Sequence, residues 1–204
     1  MLNLFGVPIY FNNIKIKEKE KSFLINSSYK RVDDDNGYVT KNKYILNNKK
    51  TIETKKNILI NLSNYLYNIL KIKKNIKFKL LNSWCVKHVK NDYAHMHDHD
   101  NSFISGILYL KTNENSGNIV FHKNDSFNNI FPKSVNIEFN EYTTINSDYW
   151  SITPKEGDIL FFPSNLKHSV TKNVSSENRY CCSFNFYPIG IFGKEDNLNV
   201  LEIK

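Results

Sequence analysis

Histidine occurs at every second position of one short segment, His95-Met96-His97-Asp98-His99-Asp100. In an extended strand, residues two positions apart point to the same face of the sheet. His95, His97 and His99 can therefore converge, and either neighbouring pair could occupy two adjacent positions on one metal ion. Neutral imidazole binds iron, copper, nickel and zinc, so the histidines alone do not define the metal. The segment predicts a metal site that includes His97, which belongs to both pairs.

Two residues far downstream could complete this site. His168 follows an apolar segment and a loop that contains Pro163, and it could supply a third ligand from another strand. Arg179 follows His168 by 11 positions, and the only other arginine in this lysine-rich chain is Arg31. An arginine kept in such a composition indicates a need for the planar guanidinium, which binds a carboxylate through two parallel hydrogen bonds.

Two close histidines, a distant histidine and an anion-binding arginine are the parts of an iron- and 2-oxoglutarate-dependent oxygenase. The common His-x-Asp ligand pair is missing, because Met96 stands two residues before Asp98. The ligands are then all imidazole, unless Asp98 or Asp100 reaches in from a bent loop. The plainer interpretation is a histidine-rich surface loop, a buried core histidine at position 168 and an ordinary surface arginine.

The elements that must position these residues can be predicted from the spacing of apolar residues. From about Thr51 to Leu70 the spacing is helical, which predicts a long amphipathic helix packed on a sheet. Pro8 suggests that a first strand over 4–11 lies at a sheet edge. Further strands are predicted at 76–89, 103–111, 118–123, 134–139, 142–146, 157–163, 168–172 and 179–187. We therefore expect a mainly β protein with some helix, a double-stranded β-helix (jelly-roll, cupin-like) with an N-terminal helical cover.

The last of these strands has two unlike faces. Alternation places Arg179, Cys181, Ser183 and Asn185 on one face, and Tyr180, Cys182, Phe184 and Phe186 on the other. A polar interior is unusual for a core and is expected of a site. The apolar face can pack against the second sheet or against the helix.

Length and composition are those of one domain, 1–204, with residues 1–75 as the cover and 76–190 as the jelly-roll core. We expect no membrane partner, because no apolar run approaches about 18 residues. The first residues lack the basic flank of a signal peptide. The three cysteines, Cys85, Cys181 and Cys182, show no disulfide spacing. They favour reduced thiols in a cytosol.

The formal charge of +8 is concentrated in the first hundred residues. A basic half can bind nucleic acid or another polyanion. Here the lysines are interspersed with acids and asparagines, and no nucleic-acid-binding motif is present. We therefore interpret them as solvated surface lysines and expect no nucleic-acid partner, while a homodimer stays open.

Several motifs together point to one family. The segments in question are Leu4-Phe5-Gly6-Val7-Pro8, Ser83-Trp84, 97–109, Gly117–Phe121, the Phe-Pro-Ser-x-x-x-His stretch that ends at His168, and 179–185. Residues 97–109 match the pattern His-x-His-x-x-Ser-x-x-Ser-Gly-x-x-Tyr, and 179–185 are similar to Arg-x-Ser-x-Ser-Phe-Asn. Over nearly its whole length the chain resembles the 2-oxoglutarate-Fe(II) oxygenases of bacteria and their phages.

The resemblance implies a cofactor, a cosubstrate and roles for individual residues. His97, His99 and His168 would hold Fe(II), and Arg179 would bind the 5-carboxylate of 2-oxoglutarate. Tyr109 and Asn185 would line the cosubstrate pocket, with Ser105 a weaker candidate. The enzyme would couple the decarboxylation of 2-oxoglutarate by O₂, which gives succinate and CO₂, to hydroxylation of an unidentified substrate in a bacterial or phage-infected cytoplasm.

Two departures from the family pattern concern the site. Asp100 stands where a proline is usual, and Cys181 replaces the first serine of the arginine motif, although a thiol is a weaker hydrogen-bond donor. Two alternatives stay open. One is a cupin-like metalloenzyme that does not use 2-oxoglutarate, in which Arg179 binds the substrate's own carboxylate. The other is a non-catalytic jelly-roll binding module.

Overall fold

The computed structural model describes residues 6–32, 37–123, 138–193 and 198–204. Within these ranges the strands are β1 (Tyr10–Asn13), β2 (Tyr29–Arg31), β3 (Tyr38–Thr40), β4 (Lys77–His88), β5 (Ala94–His97), β6 (Ile104–Lys111), β7 (Ile119–His122), β8 (Tyr149–Ile152), β9 (Asp158–Pro163), β10 (His168–Val170), β11 (Arg179–Phe192) and β12 (Leu201–Ile203). The α-helices are α1 (Glu18–Ile25) and α2 (Ile52–Ser63), and a π-helical segment, Asn64–Ile69, continues α2. Two short 3₁₀ helices, Ile45–Asn47 and Lys49–Thr51, precede α2.

The strands form two antiparallel sheets. Among the described residues, the larger sheet has eight strands in the order β1-β9-β6-β11-β4-β3-β2, with β12 paired to β11. The smaller sheet has the order β5-β10-β7-β8. Strands that neighbour each other in space are mostly distant in sequence, as in a jelly roll. The mainly β, jelly-roll prediction is confirmed, and β1 lies at a sheet edge as Pro8 suggested.

The larger sheet has an apolar face that packs against the helices. Leu24, Ile58, Leu62, Tyr65 and Leu66 from the helical segments form one buried cluster with β-sheet residues. On β11 these sheet residues are Cys182, Phe184 and Phe186. Cys181 belongs to a second cluster between the sheets. The predicted division of this strand into two faces is therefore confirmed, and its polar face lines the space between the sheets.

Several predicted elements differ from the structure. Segment 142–146 is not a strand, while the unpredicted strand β8 follows it, and helix α1 and the strands β2 and β3 were also not predicted. Of the predicted strand 4–11, residues 4 and 5 lie outside the described residues, residues 6–9 are not in a strand, and β1 begins at Tyr10. Of the predicted strand 134–139, residues 134–137 lie outside the described residues, and 138–139 are not in a strand. None of the described helices is long and apolar enough to cross a membrane.

The hairpin of β2 and β3 extends the larger sheet beside the space between the sheets. β3 pairs with the end of β4, and Val32 and Val39 line the cavity described below. The hairpin is tied to the loop after β4 by Arg31, whose Nη2 lies 2.8 Å from Asp92 Oδ1 and whose Nη1 donates to Asp92 Oδ2 at 3.2 Å. Asp92 is buried and also accepts a hydrogen bond from the Val89 backbone N–H. This two-point contact uses the fork geometry that only arginine provides.

Replacing Asp92 with asparagine should therefore lower stability. Asp92→Asn loses one charge-assisted acceptor and turns an amide N–H₂ toward existing donors. Hydrogen bonds to charged groups contribute about 1.5–3 kcal/mol each, and we expect a loss of that order in the free energy of unfolding from denaturant titration. Asp148→Asn, at an exposed position, is the control and should change stability by less than about 0.5 kcal/mol. Equal values for the two variants would contradict the role of the Arg31–Asp92 contact.

Candidate metal and cosubstrate site

Three of the predicted histidines converge between the sheets. One ligand nitrogen from each of His97, His99 and His168 lies within 4.8 Å of the other two. His97 ends β5, His168 begins β10, and the two residues are directly paired across these strands. His99 follows β5 in a loop whose position is set by a hydrogen bond from its backbone N–H to the carbonyl of Ser164 at 2.9 Å.

His95 does not belong to this group because β5 contains a register shift. His168 pairs with His97, but Val170 pairs with Ala94, so β5 carries one extra residue between the two pairs. A bulge of this kind breaks the alternation that would have placed His95 and His97 on one face. His95 instead contacts Tyr93, with its Nε2 3.2 Å from the phenolic oxygen. The structure thus brings together the second of the two pairs that the sequence allowed.

Each of the three rings is oriented by a hydrogen bond at Nδ1. His97 Nδ1 donates to the carbonyl of His95 at 2.7 Å, and His168 Nδ1 donates to the carbonyl of Leu166 at 2.9 Å. His99 Nδ1 donates to Asn185 Oδ1 at 2.8 Å. A neutral imidazole with its proton on Nδ1 presents the lone pair of Nε2. The three Nε2 atoms are therefore the ones available to a metal, in the arrangement usual for histidine ligands.

Burial keeps two of these rings neutral. Desolvation, with a smaller contribution from neighbouring His97, lowers the pKa of His168 to about 3. Burial also lowers the pKa of His99. Only a neutral imidazole can coordinate a metal, so protons do not compete for these two ligands near neutral pH.

A small polar cluster surrounds His99. Ser105 Oγ lies 2.7 Å from His99 Nδ1 and donates to Asn185 Oδ1 at 2.9 Å. Ser164 Oγ lies 2.8 Å from Ser105 Oγ. All three partners are buried, so their hydrogen bonds act away from water and hold the ring in one orientation. Asn185, which was predicted to line the cosubstrate pocket, is not among the residues that line the cavity and instead contacts one of the three converging histidines.

The contact between Asn185 and His99 makes metal affinity sensitive to residue 185. Asn185→Leu keeps a similar volume but removes the acceptor for His99 Nδ1. Loss of a group that orients a metal-binding histidine typically lowers metal affinity by about 10–100-fold. We expect a rise of that size in the Kd for the metal, measured by competition with a metal chelator. Ser183→Ala, on the same face of β11, is the control. If Asn185→Leu binds metal as the wild type does but binds 2-oxoglutarate poorly, Asn185 acts on the cosubstrate instead.

Arg179 is a buried cation for which the described residues supply no counter-ion. It is 1% exposed, and no carboxylate of the described residues lies within ion-pair distance of its guanidinium. Its Nη2 donates to Tyr109 Oη at 3.3 Å and its Nη1 donates to His88 Nδ1 at 3.2 Å. Its Nε has no hydrogen-bond partner among the described residues. An uncompensated buried charge costs several kcal/mol, so this environment favours an anionic ligand.

Tyr109 contacts the guanidinium of Arg179 with its ring as well as with its hydroxyl. The Arg179 Cζ atom lies 5.1 Å from the centre of the Tyr109 ring, in a cation–π contact. Burial raises the pKa of Tyr109 to about 12, so its hydroxyl stays protonated and accepts the hydrogen bond as a neutral group. Tyr109 is fully buried.

The histidines and Arg179 line one cavity of about 330 Å³ between the sheets. Cys181 and Ser183 of β11 also face it, and burial raises the pKa of the Cys181 thiol to about 11. Further lining residues that were not predicted from the sequence are Val32, Val39, Trp84, Val86, His88 and Phe162. Trp84 and Phe162 stand in motifs that carry the resemblance, and the alternation of Trp84, Val86 and His88 along a predicted strand could have placed these three residues on one face.

The donor set fits a single divalent transition-metal ion. Three imidazoles suit iron, nickel, copper or zinc, and the cluster of converging ligand atoms contains no fourth protein group among the described residues. Asp98 and Asp100 are exposed and do not belong to it. A site with three protein ligands leaves positions for other molecules, as catalytic metal sites do and closed structural sites do not. Fold and site thus define a jelly-roll protein in which three histidines could hold a metal ion in the same cavity as a buried arginine.

Comparison with known proteins identifies the family. Residues 82–185 match the family described as "Putative 2OG-Fe(II) oxygenase", and the chain belongs to this family. It is thus an iron- and 2-oxoglutarate-dependent enzyme, as the motifs implied. No curated protein matches the sequence significantly.

Solved structures with the same fold include enzymes of several activities. The α-ketoglutarate-dependent epimerase SnoN from nogalamycin biosynthesis has a TM-score of 0.63 and 12% identity, covering 94% of this chain and 83% of its own. HygX from Streptomyces hygroscopicus, with nickel and 2-oxoglutarate bound, has a TM-score of 0.58 and 12% identity, and the match covers 88% of this chain and 82% of HygX. The viral collagen prolyl hydroxylase of Paramecium bursaria Chlorella virus-1, in its 2-oxoglutarate complex, has a TM-score of 0.51 and 15% identity. The match covers 87% of this chain and 95% of the hydroxylase.

Proposed function

We propose that His97, His99 and His168 bind Fe(II) through Nε2, and that Arg179 binds the far carboxylate of 2-oxoglutarate. The observation that carries this proposal is the buried charge of Arg179, for which the described residues supply no counter-ion, in the same cavity as three converging imidazoles. When bound, Fe(II) would activate O₂, and 2-oxoglutarate would supply two electrons as it is oxidised to succinate and CO₂, so that one oxygen atom of O₂ enters succinate and the other enters the second substrate. The proposed outcome is hydroxylation of a second substrate.

The residues around the metal have separate tasks in this proposal. Asn185 and Ser105 hold the His99 ring, and the carbonyls of His95 and Leu166 hold the other two rings. Arg179 is the anion-binding group of the cavity, and Tyr109, which is not among the lining residues, holds its guanidinium through a hydrogen bond. The aliphatic residues Val32, Val39 and Val170 line part of the cavity, which limits water and strengthens electrostatic contacts inside it.

The three cysteines are free thiols buried in the fold. Cys85 and Cys182 are directly paired across β4 and β11 without a disulfide. Reduced thiols in such proximity support the proposal that the enzyme works in a reducing cytoplasm.

The proposed function is tested by anaerobic titration with Fe(II), with and without 2-oxoglutarate. We expect a visible charge-transfer band that needs both, and succinate once O₂ is admitted. Pyruvate, which has the 2-oxo acid group but no far carboxylate, should give the band only at much higher concentration. A protein that binds the metal tightly but gives no band with either acid would contradict the use of 2-oxoglutarate. It would favour the cupin-like or the non-catalytic alternative.

A further inference from the structure

A histidine outside the metal site lies against Arg179. His88 is the last residue of β4 and is paired directly with Arg179, the first residue of β11. The two side chains are 2% and 1% exposed, and both line the cavity. Their contact is the hydrogen bond of 3.2 Å between Arg179 Nη1 and His88 Nδ1.

The chemistry of this contact assigns the donor and the acceptor. Arginine has five N–H donors and no acceptor, so His88 Nδ1 must accept and the ring must be neutral, with its proton on Nε2. Tyr109 Oη accepts from the other terminal nitrogen of Arg179. One N–H on each terminal nitrogen is thus occupied. The two acceptors on opposite terminal nitrogens restrict rotation of the guanidinium plane, while its remaining donors stay available to a carboxylate.

His88 is itself held on two sides. Its carbonyl oxygen accepts a hydrogen bond from Asn173 Nδ2 at 3.1 Å. Its ring lies against Gly37 of the β2–β3 hairpin, where an added Cβ would come within 2.4 Å of His88 Cδ2. Gly37 has a φ of +80°, a conformation that favours glycine, so the hairpin can approach the ring this closely only with glycine at that position. The imidazole therefore lies between Arg179 and the hairpin.

We infer that His88 is a positioning residue for the cosubstrate, which acts by orienting the Arg179 guanidinium toward the far carboxylate. This inference rests on the proposed function, because it assumes that Arg179 receives 2-oxoglutarate. A carboxylate bound by two parallel hydrogen bonds requires the guanidinium in one plane and one direction. Without the acceptor at His88 Nδ1, Arg179 keeps its charge but not its orientation, and an N–H of the guanidinium is left unsatisfied.

The test compares acids with and without the far carboxylate. Binding of 2-oxoglutarate and of pyruvate to the anaerobic Fe(II) protein is measured by calorimetry for the wild type, His88→Leu and His88→Asn. His88→Leu removes the acceptor, whereas the side-chain oxygen of His88→Asn can occupy the place of Nδ1. We expect the leucine variant to raise the Kd for 2-oxoglutarate by about tenfold, the loss of one charge-assisted hydrogen bond, and to leave pyruvate unchanged. The asparagine variant should stay within about threefold of the wild type for both acids.

Several outcomes would overturn the inference. If His88→Leu weakens both acids equally, or neither, His88 does not orient Arg179. If His88→Leu fails to fold, His88→Met gives the same test, because methionine is close to histidine in volume and offers only a weak sulfur acceptor, and the same selective loss is expected. A wild type that does not bind 2-oxoglutarate overturns the proposed function together with the inference. Normal wild-type binding with an unaffected His88→Leu variant overturns the inference alone.

Discussion

His97→Ala should abolish iron binding. His97 supplies one of the three converging ligand atoms, and this group has no fourth member among the described residues. His99→Ala should match it, whereas His95→Ala should keep substantial binding because the register shift in β5 moves that residue out of the group. The measurement is metal content after anaerobic reconstitution with Fe(II), followed by removal of excess ion.

The three variants differ by one imidazole each, so they control for one another. All three replace a histidine within the same five-residue segment. If a histidine-rich surface bound metal without a defined site, each variant would lose a similar share of the bound metal. A protein that is empty after His95→Ala and full after His99→Ala would show that the other pair binds. Similar partial losses in all three variants would indicate adventitious binding.

Arg179→Lys should raise the apparent Kd for 2-oxoglutarate by about one to two orders of magnitude. Lysine keeps the positive charge but cannot form two parallel hydrogen bonds, and hydrogen bonds to charged groups contribute roughly 1.5–3 kcal/mol each. Iron binding should survive, since Arg179 is not a ligand. The measurement is the cosubstrate dependence of the charge-transfer band.

Pyruvate again provides the control for the arginine. It lacks the far carboxylate, so its binding should barely respond to Arg179→Lys. If the variant loses iron, or loses both acids to the same extent, Arg179 supports the fold of the cavity rather than the cosubstrate. The same result would remove the basis for the role assigned to His88.

The helix and the strand β11 could be predicted because each has a regular period. Apolar residues at helical spacing predicted 51–70, which the structure forms as α2 and its π-helical continuation. Alternation along β11 correctly separated the polar from the apolar face. By contrast, α1 buries only Leu24, so its sequence carries almost no periodic signal.

The segment 142–146 shows how local hydrogen bonds can override strand propensity. Its Thr-Thr-Ile run is rich in β-branched residues, which favour strands. Asn146 Oδ1 accepts a hydrogen bond from the Thr143 backbone N–H at 2.6 Å, and its Nδ2 donates to the carbonyl of Glu141 at 2.9 Å. Asparagine side chains compete in this way for backbone groups and stabilise turns.

The part of the site that escaped prediction depends on how strands pair. His88 faces Arg179 because β4 and β11 are paired in one particular register, which is determined by contacts across the whole sheet. The choice of His99 over His95 depends on one extra residue in β5. Neither the register of β4 and β11 nor the extra residue in β5 can be predicted from the neighbouring sequence. The motifs that resemble the family nevertheless favoured the same three histidines.

The bulge in β5 has a consequence for association between chains. Among the described residues β5 is an outer strand of the smaller sheet, and an outer strand offers unpaired backbone groups to any other extended chain. A bulge twists such a strand and interrupts its regular row of donors and acceptors, which discourages aggregation by strand pairing. The extra residue that takes His95 out of the group of converging histidines thus also protects this edge, so deleting it would lower solubility as well as disturb the candidate metal site.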